Sequence, residues 1–498
     1  MGTAAEMIAM DFEASARFDH RMHIALRIGL FLSLPLCLFQ FAIAPEISLL
    51  VHTACMLLAT AMVVLHKDGW RAFFYSSPYW TFSFMLFVNA SARGVSIDYN
   101  ILDPDRAASI VLVSQFGISV VGLIDALVPD RPRQASFAAV ERTNSLMFAF
   151  LASSICVLVL RFTGGISPIV AKSFFYLLPI LIATNFLRRG ARAMDPYFLG
   201  LFGGYSALAV IDNSRTDLLS FVLMGLVLLM IFGKRFVTWQ RVVLGYFLVR
   251  FLAVFSAVSI AVRPLRDTPD LMVKEALSRL FSFETLYALF NPLHTHSASY
   301  VYAQRQTGYS LFRSYFYGGG DTSIFDRLTL LPQMDIVTGR LLLTTHIDFA
   351  KLWQTTIPSA LPNFGQQKIT MLGDELVWEL ALRSRETVGR PMITSQAEAW
   401  ALGGYWGVLV ISIFVFACWA LNYRLMLRYF GLRTVVQAFN ALLIVYGILT
   451  TTILGQTLAM LRSPLQVLLL CVLISLVLQV LKTRHSMNMP KPVARHLE

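Results

Sequence analysis

Charge is what this sequence has least of. Asp, Glu, Lys and Arg make up 14% of the 498 residues, against about 25% in an ordinary soluble domain. Apolar types (Ala, Val, Ile, Leu, Met, Phe, Trp, Tyr, Cys) make up 56%, and the mean hydropathy is +0.64. By length alone the chain could form roughly three soluble domains, but it lacks the polar side chains to cover their surfaces. A soluble enzyme, a nucleic-acid binder and a disordered scaffold are excluded on that ground. Cysteine is scarce too. The five, Cys37, Cys55, Cys156, Cys418 and Cys471, fall inside apolar stretches with no CxxC spacing, so they read as small buried hydrophobes. The first twenty residues hold no apolar core with a small-residue cleavage site. The first membrane helix is therefore expected to act as an uncleaved insertion signal. Repeats and low-complexity runs are absent.

What is present is a series of long apolar runs. A bilayer core takes about 20 apolar residues per helix. Runs that fit lie near 24–44, 47–65, 72–90, 107–127, 143–160, 166–187, 197–212, 216–233, 242–262, 401–421, 434–454 and 464–482. They are too long and too evenly apolar for the alternating strands of a β-barrel. The expected fold class is an all-α polytopic membrane protein of about twelve transmembrane helices.

The basic residues orient it. With the N-terminus inside, twenty Lys and Arg fall in inside segments, among them Lys67, Arg71, Arg142, Arg188, Arg424 and Arg433. The short outside loops hold five: Arg93, Arg106, Arg161, Arg215 and Arg462. The positive-inside rule then places both termini in the cytoplasm. It also spreads the net charge of +12 over several separate segments, which leaves no nucleic-acid surface. The expected division is 1–262 with nine helices, an external loop 263–400, 401–482 with three helices, and a basic tail 483–498.

The loop is neutral, with thirteen basic and thirteen acidic residues. A structureless loop of that length is improbable. Val273, Ala276, Leu277, Leu280 and Tyr287 share one helical face, which suits a helix lying at the membrane interface. A second amphipathic stretch, Gly373 to Arg385, pairs Glu379 with Arg383 at helical spacing.

Transporters carry ionisable residues near mid-membrane and two halves of similar hydropathy. Here Arg27, Asp125, Lys172 and Arg250 sit near span ends, and nine helices followed by three show no halves. That asymmetry favours an enzyme with an external catalytic surface. The sharpest local signal is Asp212–Asn213–Ser214–Arg215–Thr216–Asp217, at an external junction leading into an apolar span. An arginine at a helix N-terminus suits a phosphate, through the free N–H groups and the guanidinium fork. Plain capping, with Arg215 paired to Asp212 or Asp217, fits the same residues.

NSRT followed by an apolar span and a basic cytoplasmic turn resembles the helix start of Wzy-type O-antigen and exopolysaccharide polymerases and of their O-antigen ligase relatives. The exit from the long loop, SQAEAWALGGYWGVLV, resembles a second motif of that family, with Glu398, Gly404 and Gly407 in the matching places. The resemblance covers most of the chain in topology and two short motifs in residues. It implies a GT-C-like, metal-independent glycosyltransferase without cofactor in the bacterial inner membrane. It would transfer a glycan from undecaprenyl diphosphate to another lipid-linked repeat unit at the outer face. The implied ligands are the undecaprenyl-diphosphate-linked glycan and membrane lipid, and the implied partners are a chain-length regulator and a flippase.

Such a reaction needs cations for a diphosphate leaving group and a base for the acceptor hydroxyl. Arg215, Glu398 and Arg279 are the expected catalytic residues. Arg263, Arg266, Arg313, Arg340, His294 and Asp321 are the expected substrate-binding ones. Ordinary readings stand beside these: Arg263 as an interface anchor, Arg279 paired with Glu275, and His294 with His296 as a pair lacking a third metal ligand. Glu398 among Ala and Trp neighbours implies a nearby arginine if it is buried. A lipid-linked oligosaccharide exporter and another GT-C glycosyltransferase are the competing classes.

Overall fold

The structure is a computed structural model of the full chain. It describes residues 4–99, 101–128, 137–166, 174–190, 196–211, 215–233, 268–283, 330–341, 393–444 and 453–487, with isolated positions between them. Every element among the described residues is helical: α1 (Ala4–Ile43), α2 (Ile47–Leu65), α3 (Gly69–Tyr75), α4 (Met85–Arg93), α5 (Pro104–Leu127), α6 (Phe137–Phe162), α7 (Leu178–Arg189) and α8 (Pro196–Ile211). Then follow α9 (Arg215–Phe232), α10 (Pro269–Leu280), α11 (Leu331–Leu341), α12 (Ser395–Phe430), α13 (Arg433–Ile444), α14 (Ile453–Thr457) and α15 (Ser463–Met487).

Among the described residues, six helical runs are long and apolar enough to cross a membrane: Ala4–Ile43, Ile47–Leu65, Pro104–Leu127, Phe137–Phe162, Ser395–Phe430 and Gly455–Val480. Shorter apolar helices lie at Leu199–Ala209, Asp217–Phe232 and Arg433–Ile444. The ninth expected span, 242–262, falls outside the described residues apart from isolated positions. Large side chains such as Phe31, Leu38, Leu57, Phe116, Phe414 and Leu476 point outward from the bundle. A belt of this kind is stable only against lipid.

Two π-helical stretches interrupt the ladder, and proline explains both. Pro78 has no N–H for the Phe74 carbonyl, so the Ser77 hydroxyl donates to it at 2.7 Å. One residue on, Gln115 of α5 inserts into the next rung. Its Nε2 donates to the Tyr75 carbonyl at 2.7 Å, and its Oε1 accepts from the Tyr79 N–H at 3.3 Å. The π-helical stretch Tyr79–Phe84 follows. At the other site, Leu458–Arg462 is π-helical and Pro464 leaves the Met460 carbonyl without its helical donor. Asn422 of α12 supplies one, Nδ2 to the Met460 oxygen at 2.7 Å. Inside lipid no water can do this, so side chains must.

The segments expected inside meet at one end of the bundle. Asp11 caps α13, accepting from the N–H groups of Arg433 and Thr434 at 2.9 and 2.8 Å. Asp19 accepts from Gly69 N–H and pairs with Arg433, both at 2.9 Å. Asp68 caps α3, accepts from the Tyr423 hydroxyl at 2.7 Å and pairs with Arg433 at 2.6 Å. Burial pushes the Asp68 carboxyl up, but Arg433 and Arg71 outweigh burial and hold it below its ordinary 3.8. Asp125 lies between Arg71 at 3.0 Å and Arg424 at 2.7 Å. This network ties the first 127 residues to the C-terminal helices.

The opposite end gathers the segments expected outside. Gln40 donates to Ser91 and to the Val95 carbonyl, and Ser48 to Asp98. From the long loop, Asp335 on α11 is fully buried; it accepts from the Asp103 N–H at 3.2 Å and pairs with Arg106 at 3.1 Å. It thereby seats α11 on the start of α5. Leu331, Met334 and Val337 of α11 share a core with Ile110 and Val111 of α5 and with Ala397 and Val408 of α12. This part of the loop is built into the bundle.

Candidate functional site

Helix α12 begins before the expected span and folds back on itself. Thr394 caps it, its hydroxyl accepting from the Ala397 N–H at 3.2 Å. The break is at Gly403 and Gly404. Gly403 has an extended φ of −170°, but Gly404 has φ +58° and ψ −140°, a conformation essentially reserved for glycine. Ser114 of α5 contacts both arms: Gln396 donates to its hydroxyl at 3.3 Å, and Ser412 lies 3.0 Å from it. In one straight helix Gln396 and Ser412 would stand about 24 Å apart at 1.5 Å per residue. The first arm therefore runs antiparallel to the second as a re-entrant hairpin. Gly407 faces the first arm so closely that a Cβ there would overlap the Ala399 carbonyl oxygen.

Glu398 sits on the first arm, 1% exposed. Its carboxylate accepts from the backbone N–H of Ile453, the first residue of α14. A carboxylate at a helix start offsets the free N–H groups and the positive end of the helix. The three motif residues thus have distinct physical roles: Glu398 anchors the hairpin to the last helical run, Gly404 turns it, and Gly407 lets its arms touch.

A second polar group lies around the start of α9. Asp217, in its first turn, is buried. Tyr176, in the turn entering α7, lies within electrostatic reach of Ser463, Asp217 and Arg462. Arg462 ends the π-helical stretch next to Leu461, whose carbonyl accepts from Asn422 at 3.4 Å. Asn422 is far along α12 from Gly404, adjacent to the Tyr423 that reaches Asp68. Arg462 therefore lies on a helical run packed against α12, where the sequence count expected a short loop. Ionisable side chains inside a membrane bundle are costly and mark function by default.

The expected site residues divide as follows. Arg215 opens α9, two residues before Asp217; its side chain lies outside the described residues. Glu398 is buried, and the partner seen for its carboxylate is the Ile453 backbone N–H, where the sequence implied an arginine. Arg279 pairs with Glu275 at 2.8 Å on α10, both partners substantially exposed, which is the ordinary pairing the sequence also allowed. Arg340 falls on α11 with its side chain outside the described residues. Arg263, Arg266, His294, Arg313 and Asp321 all lie outside the described residues. Sequence reasoning missed Tyr176, Arg462 and Asn422. The available signal was Arg462–Ser463–Pro464 inside an apolar run: a charge beside a proline marks a helix distortion as readily as a loop.

Comparison with protein-family models, with curated proteins and with solved structures finds no match for this chain.

Proposed function

We propose that the chain is an integral-membrane glycosyltransferase that polymerises lipid-linked oligosaccharide repeat units at the outer face of the bacterial inner membrane, with about twelve spans and both termini cytoplasmic. The observation that carries this reading is the folded-back first arm of α12, which buries Glu398 against the start of α14 and turns at Gly404. A reaction on a lipid-anchored diphosphate needs charge at the depth of the head group and apolar walls for the tail. The acceptor hydroxyl oxygen attacks the anomeric carbon of the donor glycan. The bond from that carbon to the phosphate oxygen breaks, and undecaprenyl diphosphate leaves with the electron pair. The hydroxyl proton passes to a carboxylate or histidine base. Arg215, at the N-terminus of α9, is assigned to the departing diphosphate. The resemblance of NSRT and of the Glu398–Gly404–Gly407 segment points the same way.

Proteoliposomes supplied with a lipid-linked repeat unit test the reading. Elongated glycan with one undecaprenyl diphosphate released per linkage is the expected result. Movement of the lipid-linked glycan between leaflets without elongation would instead establish the exporter. One observation favours that second reading: re-entrant helical hairpins are tolerated in membranes where they line a polar path.

A further inference from the structure

We infer that α1, α2, the π-helical stretch Tyr79–Phe84 and α5 enclose a proton path through the bundle, with His52 as its carrier and Ser83, Tyr79, Ser33 and Gln115 as its relay. The inference goes beyond the function proposed above and does not rest on it. These five side chains are each 1% exposed or less, on helices whose other faces carry exposed Phe31, Leu57 and Phe116. They follow one another in depth. At one end Ser48 donates to Asp98 at 2.7 Å. One turn further along α2, His52 Nδ1 lies 2.9 Å from the Ser83 hydroxyl. One turn back from Ser83, the Tyr79 hydroxyl donates to Ser33 of α1. Gln115 of α5 comes next. It accepts from the Tyr79 N–H at 3.3 Å and donates to the Tyr75 carbonyl at 2.7 Å and the Ser119 hydroxyl at 3.1 Å. The Tyr75 ring then lies 4.8 Å from the His66 ring, and Asp125 with Arg71, 3.0 Å apart, closes that end.

The series is as long as a membrane is thick. From Ser48 to His66, the cap of α2, the chain covers about 27 Å at 1.5 Å per residue, against about 30 Å for a hydrocarbon core. Where successive groups do not touch, side chains one turn apart leave about 5–6 Å. One water making two hydrogen bonds of about 2.8 Å spans that gap. The Tyr75 hydroxyl and His66 Nε2 are sealed from solvent and make no hydrogen bond of ordinary geometry. Buried polar atoms of this kind are where ordered water sits. Hydroxyls and an amide alone would serve as glue between helices. His52 adds something they lack. An imidazole takes up a proton on one ring nitrogen and releases one from the other, and a tautomer change then restores it. Each passage leaves the residue with its original proton count. Histidine inside a membrane bundle is rare, and chains of such groups mark proton relays.

The full-length protein can be reconstituted in vesicles of phosphatidylethanolamine and phosphatidylglycerol loaded with pyranine. Valinomycin and a potassium gradient set an inside-negative potential, and the dye reads proton entry. Acidification faster than in protein-free vesicles is the expected result. His52→Gln keeps a hydrogen-bonding side chain for Ser83 but cannot carry a proton. It should lose the flux, down to the protein-free rate, at an unchanged melting temperature. Tyr79→Phe, which breaks the link to Ser33, should lose most of it. Gln115→Leu should lose the flux and also melt lower, because the Tyr75 carbonyl loses its donor. Arg17→Gln, on the exposed Glu13 pair of α1, serves as the unchanged control. A seam that only holds helices together predicts no flux in the wild type. Wild-type vesicles no faster than protein-free ones therefore overturn the inference, and so does full flux in His52→Gln. Sodium entering as fast as protons, read with a sodium-sensitive dye, would show an open aqueous leak and overturn it as well. If Gln115→Leu does not fold, His52→Gln decides the question. The assay contains no glycan, so its failure leaves the proposed function standing.

Discussion

Two regions of the bundle treat charge differently. In one, Asp11, Asp19, Asp68 and Asp125 meet Arg71, Arg424 and Arg433, and the carboxylates cap helices α3 and α13 as well as pairing with the arginines. Those helices are regular where the network holds them. In the other, Glu398 sits on a helix that folds back at Gly404. Ionic groups mortared between regular helices are architecture. An ionic group set where the backbone has been broken to place it is a candidate for chemistry. That contrast can be tested because substitutions in the two regions should separate stability from activity.

The largest effect is expected at Asp125. Its removal takes from the Arg71 guanidinium, 8% exposed, the carboxylate 3.0 Å away. Breaking one side of a buried pair costs about 3–5 kcal/mol. Asp125→Ala should sharply lower membrane abundance and detergent melting temperature, and what protein survives should still elongate glycan. Normal melting behaviour would show that the inner network is not what holds the halves together.

Arg215 should behave the other way. Losing one donor to a developing oxyanion costs about 3–4 kcal/mol, roughly a hundred- to thousandfold in rate. Arg215→Ala should abolish polymer at normal membrane abundance, and Arg215→Lys should stay strongly impaired because the guanidinium fork is lost. Long polymer on gels from a normally inserted Arg215→Ala protein would remove this residue from the site.

Gly404 comes next. A side chain at φ +58°, ψ −140° stores about 1–3 kcal/mol of strain. Gly404→Ala should lower both stability and elongation, since the hairpin that carries Glu398 can no longer turn freely. Gly407→Ala, facing the Ala399 carbonyl, should do the same. Unaltered elongation in both would show that the hairpin opens during the reaction, with its closed form dispensable.

Asn422→Leu removes the donor that serves the Met460 carbonyl. An unmet buried carbonyl costs about 1–3 kcal/mol, and in a bilayer the measured values are nearer about 0.6. A small fall in melting temperature at normal membrane abundance is the expected readout. The smallest effect is acid. Asp68 is held below 3.8, so its contribution is fully present above that value and is lost only as pH falls below it. The effect of Asp68→Asn on melting temperature should therefore be full at neutral pH and shrink as pH falls below 3.8.

Much of the architecture was legible before any coordinates. Apolar runs near 20 residues announce membrane helices because lipid admits little else, but the expected span 401–421 ran straight through the break at Gly403–Gly404. The buried partner of Glu398 could be foreseen, since a carboxylate among Ala and Trp must meet a donor. That the donor would be a backbone N–H on α14 could not be foreseen, and an arginine was the natural guess. Arg279 shows the converse, because a charged residue within one turn of Glu275 satisfies itself locally.

The sequence by itself determined an all-helical chain with helices apolar enough to cross a membrane, because these follow from solvent and from periodicity along the chain. Only the tertiary structure decided that Ser395 to Leu402 folds back beside α5, that α11 is seated in the bundle, and that Glu398 meets the start of α14. Each of those is a contact between segments far apart in the chain. Burial, not local pattern, selects which polar groups must find one another.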